Sequence, residues 1–124
     1  MKKLLSLLFI ILLCNASCNS NNDNELNNTC NVSNPTKNIS WLREAIEELE
    51  RSNSDLKLYF YVSQNTLEDE TIFIFPNCCP QCSTLIPVFN CEGTLLGYVG
   101  DENFENSLLE NDTIIWKPKQ FSCF

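Results

Sequence analysis

A chain of 124 residues with sixteen acidic side chains against eight basic ones has a formal charge of −8, which argues against a nucleic-acid partner and against an electrostatic grip on anionic lipid. The absence of histidine removes the usual general base, the usual activator of a serine or cysteine nucleophile and the commonest metal ligand. Eight cysteines in so short a chain indicate an oxidising compartment and a small fold stapled by disulfides.

The chain opens on Met1-Lys2-Lys3, followed by an apolar run from Leu4 to Leu13 interrupted only by Ser6. A basic flank and a short apolar centre are the marks of a secretory signal, and the run is too short to span a bilayer. Asn15-Ala16-Ser17 then place small residues before Cys18, and Cys18 opens a stretch rich in Asn, Ser and Asp. This resembles the signal and lipobox of bacterial lipoproteins, specifically the relaxed Bacteroidetes type, which tolerates Asn15 where Leu is usual. The resemblance implies a signal peptide over residues 1–17, a diacylated Cys18 as the first mature residue, and a protein anchored by lipid in the cell envelope. Two other fates fit the residues alone: ordinary cleavage after Ala16 or Ser17 with release of a soluble protein, or an uncleaved anchor. Processing before Cys18 also removes Lys2 and Lys3 and deepens the acidity.

Residues 18–38 read as a lipidated cysteine and a tether. Nine of the twenty residues from Asn19 to Asn38 are asparagine, too little apolar surface to offset the entropy of ordering. Cys30 is placed to pin the distal part of this tether to the folded body. Asn22-Asp23-Asn24-Glu25 is a weakly acidic counterpart of the stretch that follows the lipidated cysteine in many Bacteroidetes-type lipoproteins, and it leaves both a periplasmic and a surface face open.

Residues 39–124 read as a single domain. A helix is predicted from Ser40 to Arg51, because Leu42, Ala45, Ile46 and Leu49 make one apolar stripe, with Ser40 as N-cap and Arg51 at the favourable end of the dipole. Glu47, Glu48 and Glu50 fall on the solvated side. Residues 56–62 alternate apolar and polar or tyrosine side chains and predict a strand, residues 63–70 a polar loop, and residues 71–75 a wholly apolar central strand. A third strand is expected over 85–89, with Pro87 pushing it to an edge or a bulge. Asn90-Cys91-Glu92-Gly93 has turn chemistry and leads to a fourth strand at 94–99. Residues 104–110 suggest a short helical turn and 113–117 a last strand. The fold class is therefore α+β: one N-terminal helix packed on an antiparallel four- to five-stranded meander sheet, stabilised by disulfides.

Within this stretch Trp41-Leu42-Arg43-Glu44-Ala45-Ile46, the aromatic run around Tyr59 and Tyr61, Cys78-Cys79 and the segment from Val88 to Gly97 resemble a family of small Bacteroidetes-type envelope lipoproteins. The resemblance covers most of residues 39–117. It implies location and fold class and brings no catalytic residues.

With Cys14 in the signal and Cys18 lipidated, Cys30, Cys78, Cys79, Cys82, Cys91 and Cys123 form an even set, read as up to three disulfides of open pairing. A vicinal Cys78–Cys79 bridge would be strained, so these two are expected to reach different partners. Cys79-Pro80-Gln81-Cys82 after an apolar strand is also the context of a thiol–disulfide oxidoreductase, with Cys79 as nucleophile and Cys82 as resolving thiol. Too few residues follow it for the rest of a thioredoxin-like fold, and Pro87 with Val88 and Phe89 makes a poor helix. Four thiolates at Cys78, Cys79, Cys82 and Cys91 could suit zinc or cuprous copper, but their spacing matches no zinc knuckle. Asp112-Thr113-Ile114 is similar to the O-glycosylation acceptor of Bacteroidetes-type exported proteins, which makes Thr113 a candidate modification site against the plainer reading of a strand start. Tyr59, Tyr61 and Trp116 are candidates to line a ligand groove, against the plainer reading of cross-strand packing.

The sequence thus reads as an envelope lipoprotein joined to the membrane through Cys18, with a non-catalytic binding or structural domain and no cofactor or metal. Its partner is an unspecified protein or small molecule. The competing readings are the thiol–disulfide oxidoreductase and an inhibitor-like binding module.

Overall fold

A computed structural model describes residues 29–123; the predicted signal peptide, Cys18 and the first part of the tether lie outside the described residues. Two helices, α1 (Pro35–Asn38) and α2 (Ser40–Arg51), precede five strands: β1 (Val62–Leu67), β2 (Glu70–Ile74), β3 (Pro87–Phe89), β4 (Leu95–Tyr98) and β5 (Thr113–Trp116). The strands form one antiparallel sheet in the order β4-β3-β2-β1-β5, so the domain is α+β and disulfide-bonded. Strand neighbours follow chain order from β1 to β4, and β5 crosses to the opposite edge beside β1.

Helix α2 occupies the predicted range, but Ser40 is its first helical residue and no N-cap. Ile39, extended at φ −95°, holds the cap position without a side-chain bond. The cause is α1: Pro at a helix start tolerates its missing N–H, and the Ile39 N–H closes that turn on the Pro35 carbonyl. The Ile39 carbonyl then accepts from the Arg43 N–H. Pro35 is buried and Cys30 is bonded to Cys91, so the described end of the segment read as a tether is joined to the domain.

The largest departure from the pattern reading lies at residues 55–67. Asp55–Tyr59 is a 3₁₀ helix where alternation predicted a strand. The Ser54 hydroxyl accepts the Leu56 N–H at 3.2 Å, and the Lys57 N–H turns back to the Ser54 carbonyl. That local alternative to the sheet ladder is typical of Ser, and it leaves Leu56 46 % exposed. Strand β1 starts later and runs through the predicted polar loop, burying Ser63 and Gln64. Strand β1 is paired on both edges: Ser63 lies opposite Ile74 and Ile114, Gln64 opposite Phe73 and Thr113. Glu68 and Asp69, at φ 50° and 65°, make the two-residue turn into β2. Two positive φ values in succession mark a type I′ hairpin.

Pro87 opens β3, where a missing N–H is tolerated, and its carbonyl accepts the Phe75 N–H. The strand is not at an edge, since β3 lies between β4 and β2; the irregularity in its pairing with β4 falls between Val88 and Phe89 and leaves Leu96 as the extra residue on β4, not at Pro87. Two apolar clusters result. Ile39, Leu42 and Ile46 share one with Val62 and Phe73, joined by Trp41 and Phe75. Ile72, Ile74 and Val88 share the other with Phe104, joined by Leu108 and Leu109 of the 3₁₀ turn Asn106–Leu109. The Asn65 amide donates to the Leu108 carbonyl at 2.9 Å and ties that turn to β1.

Candidate functional site

The six described cysteines all pair: Cys30 with Cys91, Cys78 with Cys123, and Cys79 with Cys82. The vicinal cysteines reach different partners. Cys30–Cys91 joins the start of the described chain to the turn before β4, across a separation of 61 residues. Cys91 is held there by that turn. The Asn90 Oδ1 accepts the Glu92 and Thr94 N–H groups, Gly93 takes φ 80°, and the Trp41 indole N–H donates to the Cys91 carbonyl at 2.8 Å. A Cβ on Gly93 would stand 2.7 Å from Trp41 Cδ2, so the glycine is required by space as well as by φ.

Trp41 is the organising residue that pattern reading missed. Its ring centroid lies 5.6 Å from those of Phe73 and Phe89 and 6.3 Å from that of Phe75. The only signal in the sequence was a tryptophan beside the helix stripe. Its partners are too distant in the chain for spacing to reveal.

Beside the Cys30–Cys91 bridge opens a cleft of about 440 Å³ lined by Asn31, Asp69, Glu70 and Glu92 among others. Its charged side chains are all carboxylates, and among the described residues no cluster of Cys, Asp and Glu is arranged to hold a metal. The cleft offers carboxylate hydrogen-bond acceptors and negative potential.

A second groove, of about 490 Å³, lies between the end of α2 and the tail after β5, with Leu49, Lys57, Leu58, Trp116 and Lys119 among its walls. The Trp116 indole N–H points to Glu50 Oε1 at 3.4 Å, and the Lys57 ammonium donates to the Ser52 carbonyl at 2.8 Å. Of the three aromatic candidates, Trp116 lines this groove. Tyr61 stacks edge-on against Phe121 at 5.7 Å, and the Lys117 ammonium lies 5.2 Å over the Phe121 ring. Tyr59 ends the 3₁₀ helix, where its carbonyl accepts the Cys78 N–H. Burial, and secondarily the negative charge of Asp112, push the Tyr61 phenol above its ordinary pKa.

The third feature is the loop between β2 and β3. Cys79-Pro80-Gln81-Cys82 closes on itself with a separation of three residues. The Cys79 N–H is held by Asn77 Oδ1 at 2.7 Å and the Cys82 N–H by the Cys79 carbonyl at 3.2 Å. No helix follows; the chain runs irregularly to β3, so the motif lacks the helix N-terminus that lowers a nucleophilic cysteine's pKa. Thr113, the glycosylation candidate, is exposed as the first residue of edge strand β5. Cys18 lies outside the described residues.

No family model, curated protein or solved structure matches this chain. Among the described residues no helix is long and apolar enough to cross a membrane.

Proposed function

We propose that this protein is a lipid-anchored lipoprotein of the bacterial cell envelope, of the Bacteroidetes type, held by a diacylated Cys18. In this reading one disulfide-braced domain stands at the end of the Asn-rich tether. The observation that carries it is the lysine-flanked apolar run ending in Asn15-Ala16-Ser17 directly before Cys18. Three disulfides in one small domain support an oxidising compartment.

The domain's role is binding or structural, with α2 covering one face of a meander sheet as a rigid support. Its binding surface is the groove at Trp116, where an indole and two lysine side chains offer stacking and cationic contacts to a small molecule or a protein segment. Thr113, exposed at the edge of the sheet, is a modification acceptor in the same reading.

Lipid attachment is tested directly. Cys18→Ser should abolish labelling by a fatty-acid analogue and move the protein from the membrane fraction to the soluble fraction. Persistent labelling of that variant would overturn the anchor assignment.

A further inference from the structure

The three bridges of this domain are not equivalent. Cys30–Cys91 and Cys78–Cys123 span 61 and 45 residues. Each is embedded in other structure: Cys30 packs against the helix-side cluster, and the tail carrying Cys123 is also tied by the Ser122 N–H to the Leu58 carbonyl. Cys79–Cys82 spans three residues. Its surroundings are open, since Pro80, Gln81, Ser83 and Thr84 are exposed and Leu85 is 72 % exposed. The loop does not depend on the bridge for its entry geometry. Asn77 pairs with Phe60 across the base and caps the Cys79 N–H, while Cys78 is fixed by Cys123 and by the Tyr59 carbonyl.

We infer that Cys79–Cys82 is a site of thiol–disulfide exchange with a dithiol partner, on a domain whose fold is kept by the other two bridges. A thiolate of the dithiol attacks one sulfur of the pair. The Cys79–Cys82 bond breaks, a mixed disulfide forms, and the displaced cysteine leaves as a thiolate that takes up a proton. The partner's second thiol, as thiolate, then displaces the remaining cysteine. Cys79 and Cys82 end as two thiols, reduced by two electrons, and the dithiol ends as its own disulfide. The cysteines of all three bridges are half-buried; what sets this bridge apart is its span, because breaking it frees a loop of three residues between exposed flanks, whereas breaking either of the others releases a span of 61 or 45 residues. The inference does not depend on the lipid anchor.

Graded reduction of the native protein followed by alkylation and peptide mapping tests this, with dithiothreitol in one arm and reduced thioredoxin in the other. Cys79 and Cys82 should label together at about tenfold less dithiothreitol than the other four cysteines, with the circular dichroism unchanged. A faster reaction per dithiol with thioredoxin assigns a protein dithiol as the partner, and an equal or slower one a small dithiol. The Cys79→Ser/Cys82→Ser variant should fold and lose only this first labelling step. Simultaneous labelling of all six cysteines, labelling of this pair last, or failure of the double variant to fold would each overturn the inference.

Discussion

Tyr61 and Asp112 show how neighbours, rather than residue type, set a side chain's chemistry. Asp112 has one carboxylate oxygen buried without a hydrogen-bond partner, and together with burial it disfavours the charged phenolate of Tyr61. The folded-state pKa of Tyr61 is thus above its unfolded value of 10.0. Its contribution to stability is complete below that value and is lost as pH rises through the folded pKa. The native protein should accordingly lose stability on the alkaline side of pH 10, and Tyr61→Phe should flatten that decline. Denaturant melts from neutral to strongly alkaline pH check this; an identical decline in the variant would remove Tyr61 as the cause. Neither partner was legible as a pair beforehand. Tyr61 stood out only as an aromatic residue and Asp112 only as part of a three-residue modification pattern.

Among elements, those whose signal is local were legible. The α2 stripe, the Gly93 turn and the apolar β2 follow from periodicity and from the φ that glycine allows, quantities that a few neighbouring residues determine. The segment 55–67 was not legible. Alternation at 56–62 satisfied a strand pattern, yet Ser54 captured the local N–H groups and wound it into a 3₁₀ turn. Ser63 and Gln64 looked like loop residues and became the interior of β1, because pairing on both sides supplies a strand's backbone with partners whatever its side chains. The Glu68-Asp69 turn is the weak point of that hairpin, since residues with a Cβ adopt positive φ at a cost that Asn-Gly avoids. Glu68→Asn/Asp69→Gly should raise stability by roughly 0.5–1 kcal/mol, read as a higher denaturation midpoint with unchanged slope. A lower midpoint would mean that the native turn is not type I′.

At the scale of the whole molecule, the disulfides compensate for the small core of a short domain. In the chain-entropy account a bridge stabilises according to the loop it closes. Cys30–Cys91, with its separation of 61 residues, should contribute about 4 kcal/mol. Cys79–Cys82, with a separation of three, should contribute less than about 2 kcal/mol. Cys30→Ser/Cys91→Ser should therefore lower unfolding free energy by about twice as much as Cys79→Ser/Cys82→Ser, or more, in matched urea titrations. Equal losses would show that strain or packing, not loop closure, sets the hierarchy.

Composition and local pattern alone determined that the chain is acidic, lacks histidine, carries an even set of domain cysteines, and holds one amphipathic helix ahead of several short strands. These properties depend on residue identity or on neighbours within a few positions. Which cysteine meets which, why Trp41 requires a glycine at position 93, and which of the tyrosines and tryptophans borders a groove were decided only by tertiary structure. Each depends on segments tens of residues apart being brought within a few ångströms, and no spacing along the chain encodes that distance. The β5 crossing belongs to the same class. With Phe104, Leu108 and Leu109 in the second apolar cluster, the chain is carried to the far edge of the sheet, and the last strand closes beside β1.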